Sequence, residues 1–391
     1  MTDMKFMIKP MMFAAMLAAA VGCAAAGGGA GPAETLNLQL PPAIYAVPGL
    51  ETNLYFDNVV LTVNPDNYVF DVDCAKGRND ARRWRFTPAA ADVGTHPLKL
   101  RVFDEFNRVV AEAETQIVVT PADAGAGRKL SVLLVGDSLT DITAYPRRIA
   151  ELFGRPGNPE LRFVGSHGGG GKPAGPDGIR HEGYGGWRWK SFCETWTDKT
   201  DYKAKSKFLV EKNGKPELDV AAYFKAFNHG EAPDFIVFML GSNDIYSAND
   251  EVIGQHLDAV NLYMDRLLAA FRLAAPNAVY GIAISPPPAK SQDAFGANYQ
   301  CGQTRWQFKR NQHRLAAAML RKFSGEKASC LIPVYVNLDV ENAFPVSREP
   351  ANADDRREVE RQSNGIHPAE SGYRQIGDTF YGWMKYQLNR K

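Results

Sequence analysis

A chain of 391 residues is long for one domain, so two packed cores are expected. Its 45 Lys and Arg against 44 Asp and Glu leave a formal net charge of +1, which gives no basic field for nucleic acid. Five cysteines at wide spacing, with no CxxC, support neither a zinc cluster nor a dithiol redox motif.

At the N-terminus, Lys5 and Lys9 precede the apolar stretch Met11 to Val21, followed by Gly22, Cys23 and a run of Ala and Gly. This is the layout of a signal peptide over 1–23, and its apolar stretch is too short to span a bilayer comfortably. The chain is therefore expected to be exported: periplasmic, cell-surface or secreted. "AAVGC" is similar to a bacterial lipobox, in which Cys23 would be lipidated and hold the protein to a membrane. The alternative is that Cys23 is a bland residue of a discarded signal. Export would permit disulfides among Cys74, Cys193, Cys301 and Cys330, whose three pairings the spacing leaves open.

Residues 24–34 form a Gly/Ala linker. From 35 to 121 come short β-prone runs, "NLYFDNVVLTV", "NYVFDVDC", "RRWRFTP", "HPLKLRVFDE" and "AETQIVVTP", separated by turn residues. Close-spaced short strands of this kind predict a small immunoglobulin-like β-sandwich. The small residues of 122–129 read as a second linker, with few contacts expected to cross it.

The pattern changes over 130–391. Apolar strand candidates lie at 130–135, 161–165, 234–240, 278–284 and 330–338. Between and after them are amphipathic helices. Leu257, Val260, Met264, Leu267, Leu268 and Phe271 share one helical face, as do Tyr373, Ile376, Phe380, Trp383 and Met384. Alternating strands and helices predict an α/β fold: a flavodoxin-like, doubly wound, five-stranded parallel sheet whose site lies beyond the carboxyl ends of the strands.

At the first of those ends stands "LLVGDSLTD", 133–141. By its local sequence Ser138 is either a helix cap after a strand or a nucleophile. Three more stretches stand at comparable junctions: "HEGYGGWRW" with Gly186, "FMLGSND" with Asn243, and "NGIHP" with His367 at the head of the last helix. In this order the four resemble the four blocks of the SGNH, or GDSL-type, hydrolases, over the chain from Leu130 to the C-terminus.

The resemblance implies that Ser138 is the nucleophile and His367 the general base. It implies an oxyanion hole made by the Ser138 N–H, the Gly186 N–H and the Asn243 amide. That family usually has an Asp three residues before the histidine; here Asn364 stands there. The orienting group for His367 is then Asn364, a backbone carbonyl, or another acid such as Asp339. No metal or other cofactor is expected, because Asp137 and Asp141 fit better as hydrogen-bonding partners around the nucleophile turn.

In the insertion 167–227, Trp187 is the candidate platform for a sugar ring, while Trp189, Phe192, Trp196, Tyr223 and Phe224 read as core. The loop "FGANYQCGQTRW", 295–306, is a second candidate surface. A β-sandwich followed by an SGNH domain resembles bacterial carbohydrate O-acetylesterases. The leading expectation is thus an exported serine esterase acting on acetylated poly- or oligosaccharide. The alternatives are a GDSL-type lipase or lysophospholipase, and a non-catalytic glycan-binding surface protein. Oligomeric state is not legible in the sequence.

Overall fold

A computed structural model describes residues 36–299 and 302–390. The signal peptide, Cys23, the 24–34 linker and Cys301 lie outside the described residues. Cys74, Cys193 and Cys330 are free thiols. No described helix is long and apolar enough to cross a membrane.

The N-terminal region builds two small sheets. One has four strands in the order Ile44–Ala46, Val109–Val119, Gly94–Phe103, Val69–Asp73. The other has three, in the order Thr52–Tyr55, Arg83–Phe86, Arg78–Asn79. Alternation places Leu98, Leu100 and Val102 inward, as a half-buried antiparallel strand requires. The run "NLYFDNVVLTV" is not one strand, because Phe56–Val59 winds into a helical turn. Tertiary bonding overrides its β propensity there: the buried Asn58 amide donates to the carbonyls of Tyr335 and Leu338 at 2.9 and 2.7 Å.

The second region is the expected doubly wound sheet. Five parallel strands run in the order Glu160–Val164, Lys129–Gly136, Phe235–Met239, Val279–Ala283, Leu331–Ile332. Each falls on a strand candidate of the sequence, although Glu160–Val164 exposes Glu160 and Arg162 and the last strand is short and passes into a 3-10 turn at Val334–Val336. Glu182–Gly183 adds a brief parallel pairing at the carboxyl end of Lys129–Gly136. The second strand of that order, Lys129–Gly136, is buried on both faces. Leu133 and Val135 join one apolar cluster and Val132 and Leu134 the other, the two-residue period of a strand between two helical layers. The helices Ile253–Ala274 and Glu370–Asn389 bury the faces that their periodicity marks.

The linker does not separate the regions as its composition suggests. The described residues fall in one compact unit, and Leu54, Phe56, Trp84 and Ile117 share a core cluster with Phe238 and Phe271. The linker is itself packed against the last helix. Ala124 is buried, its carbonyl accepts from Lys385 Nζ at 2.5 Å, and Gly125 sits so close to Leu388 that a Cβ would meet it at 2.9 Å. Polar pairs also cross the boundary. Asn53 donates through its N–H and its amide to Asn337 Oδ1 at 2.9 and 3.1 Å, and Asp57 pairs with Arg305 and Lys309.

Candidate active site

Ser138 opens a single helical turn, Ser138–Asp141, directly after the strand Lys129–Gly136. Gly136 is required at that bend, since a Cβ there would lie 2.0 Å from Thr140 Oγ1. The capping role belongs to Asp137, whose Oδ1 accepts from the Leu139 N–H at 3.0 Å. The Ser138 hydroxyl is therefore not spent on the helix. It lies 2.8 Å from His367 Nε2. As the first residue of its turn, Ser138 has a backbone N–H without an intrahelical acceptor.

His367 is presented by the "NGIHP" turn ahead of the Glu370–Asn389 helix. Asn364 Oδ1 organises that turn by accepting from the N–H groups of Ile366 and His367 at 3.0 and 2.9 Å. Partial burial pushes the His367 imidazole below its ordinary pKa, which favours the neutral ring. No described carboxylate hydrogen-bonds it. Asp339 is engaged elsewhere, taking the N–H groups of Glu341 and Asn342 at 3.1 and 3.0 Å and the Asn342 amide at 3.1 Å. Asn364 does not touch the ring either. The partner of His367 Nδ1 is the Tyr299 hydroxyl at 2.9 Å, and that hydroxyl lies 2.9 Å from Asn364 Oδ1. Neither Asn364, Asp339 nor a described backbone carbonyl hydrogen-bonds Nδ1. In the sequence Tyr299 is one residue of the 295–306 loop, and nothing in local spacing joins it to a histidine 68 residues on.

Gly186 lies in the turn after Glu182–Gly183, at φ +84° with open space around it. Its neighbour Gly185 approaches the nucleophile more closely, since a Cβ on it would be 3.8 Å from Ser138 Cβ. The turn is held from behind. The Gly183 N–H donates to His181 Nδ1 at 3.0 Å. Glu182, fully buried, accepts from the Ser166 N–H and hydroxyl and from the phenols of Tyr184 and Tyr223. Four donors on one carboxylate compensate its removal from water.

Asn243 sits on the short helix Ser242–Ile245 past the third strand. Its amide donates to Asp137 Oδ2 at 3.2 Å and to the Trp187 carbonyl at 3.1 Å. Burial raises the carboxyls of both Asp137 and Asp244 to about 7, and Asp244 Oδ2 is buried without a hydrogen-bond partner.

The reading of Trp187 as a sugar platform is corrected. The ring is only 6% exposed, stacked on Tyr184 at 4.0 Å and edge-on to Phe192. A platform needs a free face, and this ring is a wall of the glycine turn whose carbonyl orients Asn243. Of the other insertion aromatics named as core, Trp189, Phe192, Tyr223 and Phe224 are buried, whereas Trp196 is only half-buried, with Lys205 Nζ 4.2 Å from its ring centre.

A serine hydroxyl paired with a half-buried imidazole, beyond the carboxyl ends of a doubly wound parallel sheet, defines the class as serine hydrolase of the SGNH fold. The GDSL-like lipase/acylhydrolase family matches residues 132–380, and the chain belongs to that family; it is a serine ester hydrolase. No curated protein matches the chain. Among solved structures it is similar to a carbohydrate acetylesterase family member from Sinorhizobium meliloti, at 17% identity and a TM-score of 0.36, over 66% of this chain and 99% of that one. It is also similar to Axe2, an acetylxylan esterase from Geobacillus stearothermophilus, at 16% identity and a TM-score of 0.34, over 66% of this chain and 94% of that one.

Proposed function

We propose that the protein is an exported esterase that removes O-acyl groups, chiefly acetyl, from carbohydrate through a Ser138 acyl-enzyme, with His367 as base. The observation that carries the chemistry is the 2.8 Å contact between Ser138 Oγ and His367 Nε2, with an imidazole whose neutral form is favoured by partial burial. As Oγ attacks the ester carbonyl, its proton passes to Nε2 and the carbonyl oxygen takes up the negative charge. The N–H groups of Ser138 and Gly186 and the Asn243 amide receive that charge. Asn243 does so by sharing a proton now held by its long bonds to Asp137 and Trp187. The tetrahedral adduct then expels the sugar hydroxyl, which leaves with the proton from Nε2. Water repeats the cycle and releases the carboxylic acid.

An open groove of about 570 Å³ lies beside the far end of the nucleophile turn, where Asp141, Thr143, Arg147, Lys172 and Asp177 line it together with Ile142, Pro173 and Ile179. Export, and a lipid anchor on Cys23, rest on the pattern of residues 1–23.

The test is a chain-length series of p-nitrophenyl esters together with acetate release from acetylated xylan. The acetyl ester should be turned over best and acetate should be released. Ser138→Ala should lose more than about a hundredfold in kcat/KM with its melting temperature unchanged. Preference for long acyl chains would make the protein a lipase, and a fully active Ser138→Ala variant would place the nucleophile elsewhere.

A further inference from the structure

We propose that Tyr299 is a positioning residue that fixes the tautomer of His367, doing through a neutral hydroxyl what an acid three residues before the histidine would do by charge. This rests on the Ser138–His367 reading above and adds the group that aims the base.

The argument is a count of protons. Two backbone N–H groups converge on one end of the Asn364 amide, at 3.0 and 2.9 Å, which identifies that end as oxygen. An NH₂ there would face two other donors. The Tyr299 phenol is 2.9 Å from this oxygen and has one proton, which the oxygen can only accept. The phenol oxygen then offers only lone pairs to His367 Nδ1, also at 2.9 Å, so Nδ1 must carry the proton of the neutral ring. Nε2 is left bare and accepts from the Ser138 hydroxyl at 2.8 Å. The chain of donors runs one way, from Ser138 to His367 to Tyr299 to Asn364. Asn364 thus acts at second hand, by holding the tyrosine proton away from the ring.

No proton moves onto the phenol during the reaction. The Ser138 proton goes to Nε2 and leaves with the alcohol, while the Nδ1–H stays in place. A phenolic O–H is a far weaker acid than an imidazolium, so the tyrosine keeps its proton throughout. The Tyr299 ring is held independently of its hydroxyl, against Tyr246 at 5.5 Å and Phe295 at 6.2 Å. Tyr246 directly follows the short helix that carries Asn243, so one packing contact links the asparagine block to the histidine block.

The arrangement makes an ordering that a purely structural tyrosine would not. Tyr299→Phe keeps the ring packing and leaves His367 unguided, so kcat should fall about 10- to 100-fold with KM little changed. Asn364→Ala frees the tyrosine proton to turn toward Nδ1 and stabilise the unproductive tautomer. Its loss should be larger, approaching the roughly 10⁴-fold that a wrong tautomer costs in serine proteases. The double variant has no hydroxyl to mislead the ring and should recover to the level of Tyr299→Phe alone.

The experiment is kcat and KM for the three variants, with ¹⁵N spectra of the His367 ring at pH 8. The wild-type spectrum should show an unprotonated Nε2, and that of Asn364→Ala a protonated one. A double variant as poor as Asn364→Ala would assign that loss to the broken turn and overturn the proposal. So would Tyr299→Phe at wild-type kcat, or a wild-type ring protonated on Nε2. Ser138→Ala, assayed alongside, separates the two levels. If it is inactive while the tyrosine series fails, only the positioning role falls; if it is active, the site reading itself falls.

Discussion

Replacing Asn364 by Asp restores a negative charge at the position where the family usually has one, and the structure sets how far that charge is from the base. Two successive contacts of 2.9 Å put Asn364 Oδ1 no more than about 6 Å from His367 Nδ1. At that distance a unit charge stabilises the imidazolium by about 0.7 kcal/mol at a dielectric of about 80 and about 3 kcal/mol at about 20. At about 1.4 kcal/mol per unit, the His367 pKa should rise by about 0.5 to 2 units. The new carboxylate would still accept from Tyr299 and from two backbone N–H groups, all of which favour its ionised form. The sign follows from the base being needed neutral. In the wild type, burial holds His367 below its ordinary value, so activity should persist to acid pH. In Asn364→Asp the acid limb of kcat/KM should move to higher pH by that amount. At pH 8, where the base is neutral in both, activity should be equal or higher, because the charge stabilises the imidazolium formed in the transition state. The assay is a pH profile of kcat/KM from pH 4 to 9 on a small acetyl ester. An acid limb that does not move, or moves down, would refute the coupling between residue 364 and His367.

The contacts between the two regions carry a second prediction. Asp57→Ala leaves Lys309, whose side chain is 4% exposed, and Arg305, 12% exposed, without their carboxylate. Urea unfolding should show a loss of about 3–5 kcal/mol, and Asp57→Ala combined with Lys309→Met should recover part of it. A loss below about 1 kcal/mol would mean that the regions do not depend on this pair. Asp244→Asn tests the buried carboxyl, which the fold holds at about 7. Because the wild-type folded state binds that proton more tightly than the unfolded chain does, wild-type stability is given up as pH rises from about 4 to 7. The variant should therefore gain on the wild type over that interval, and a pH-independent difference in unfolding free energy would refute it. Finally, an alanine at residue 186 must adopt φ +84°, a strain of about 1–3 kcal/mol that should shift the turn's N–H and lower kcat. If Gly185→Ala, which carries no such strain but approaches Ser138, lowers kcat more, the oxyanion donor is Gly185.

What the sequence determined by itself was whatever depends on local pattern. Continuous apolar runs marked the inner parallel strands, because a strand buried on both faces must be hydrophobic throughout, as Val132 to Val135 are; the edge strand Glu160–Val164, with Glu160 and Arg162 exposed, is only half apolar. Helical periodicity marked the buried faces around Phe271 and Trp383 for the same reason. The four blocks located Ser138, Gly186, Asn243 and His367, since each sits where a strand or turn meets a helix and such junctions have short-range signatures. Tertiary structure decided what depends on which surfaces meet. Trp187 has the same local character whether its ring faces solvent or Tyr184, and only packing buries it. The linker's Ala and Gly read as flexible, yet small residues are also what lets a chain lie flush against a helix, as Gly125 does on Leu388. The partner of His367 was least legible of all. Sequence spacing could offer Asn364, three residues away, but a hydrogen bond is made by whatever the fold brings within 3 Å. Here that is a tyrosine carried in on another loop, with the asparagine one bond behind it.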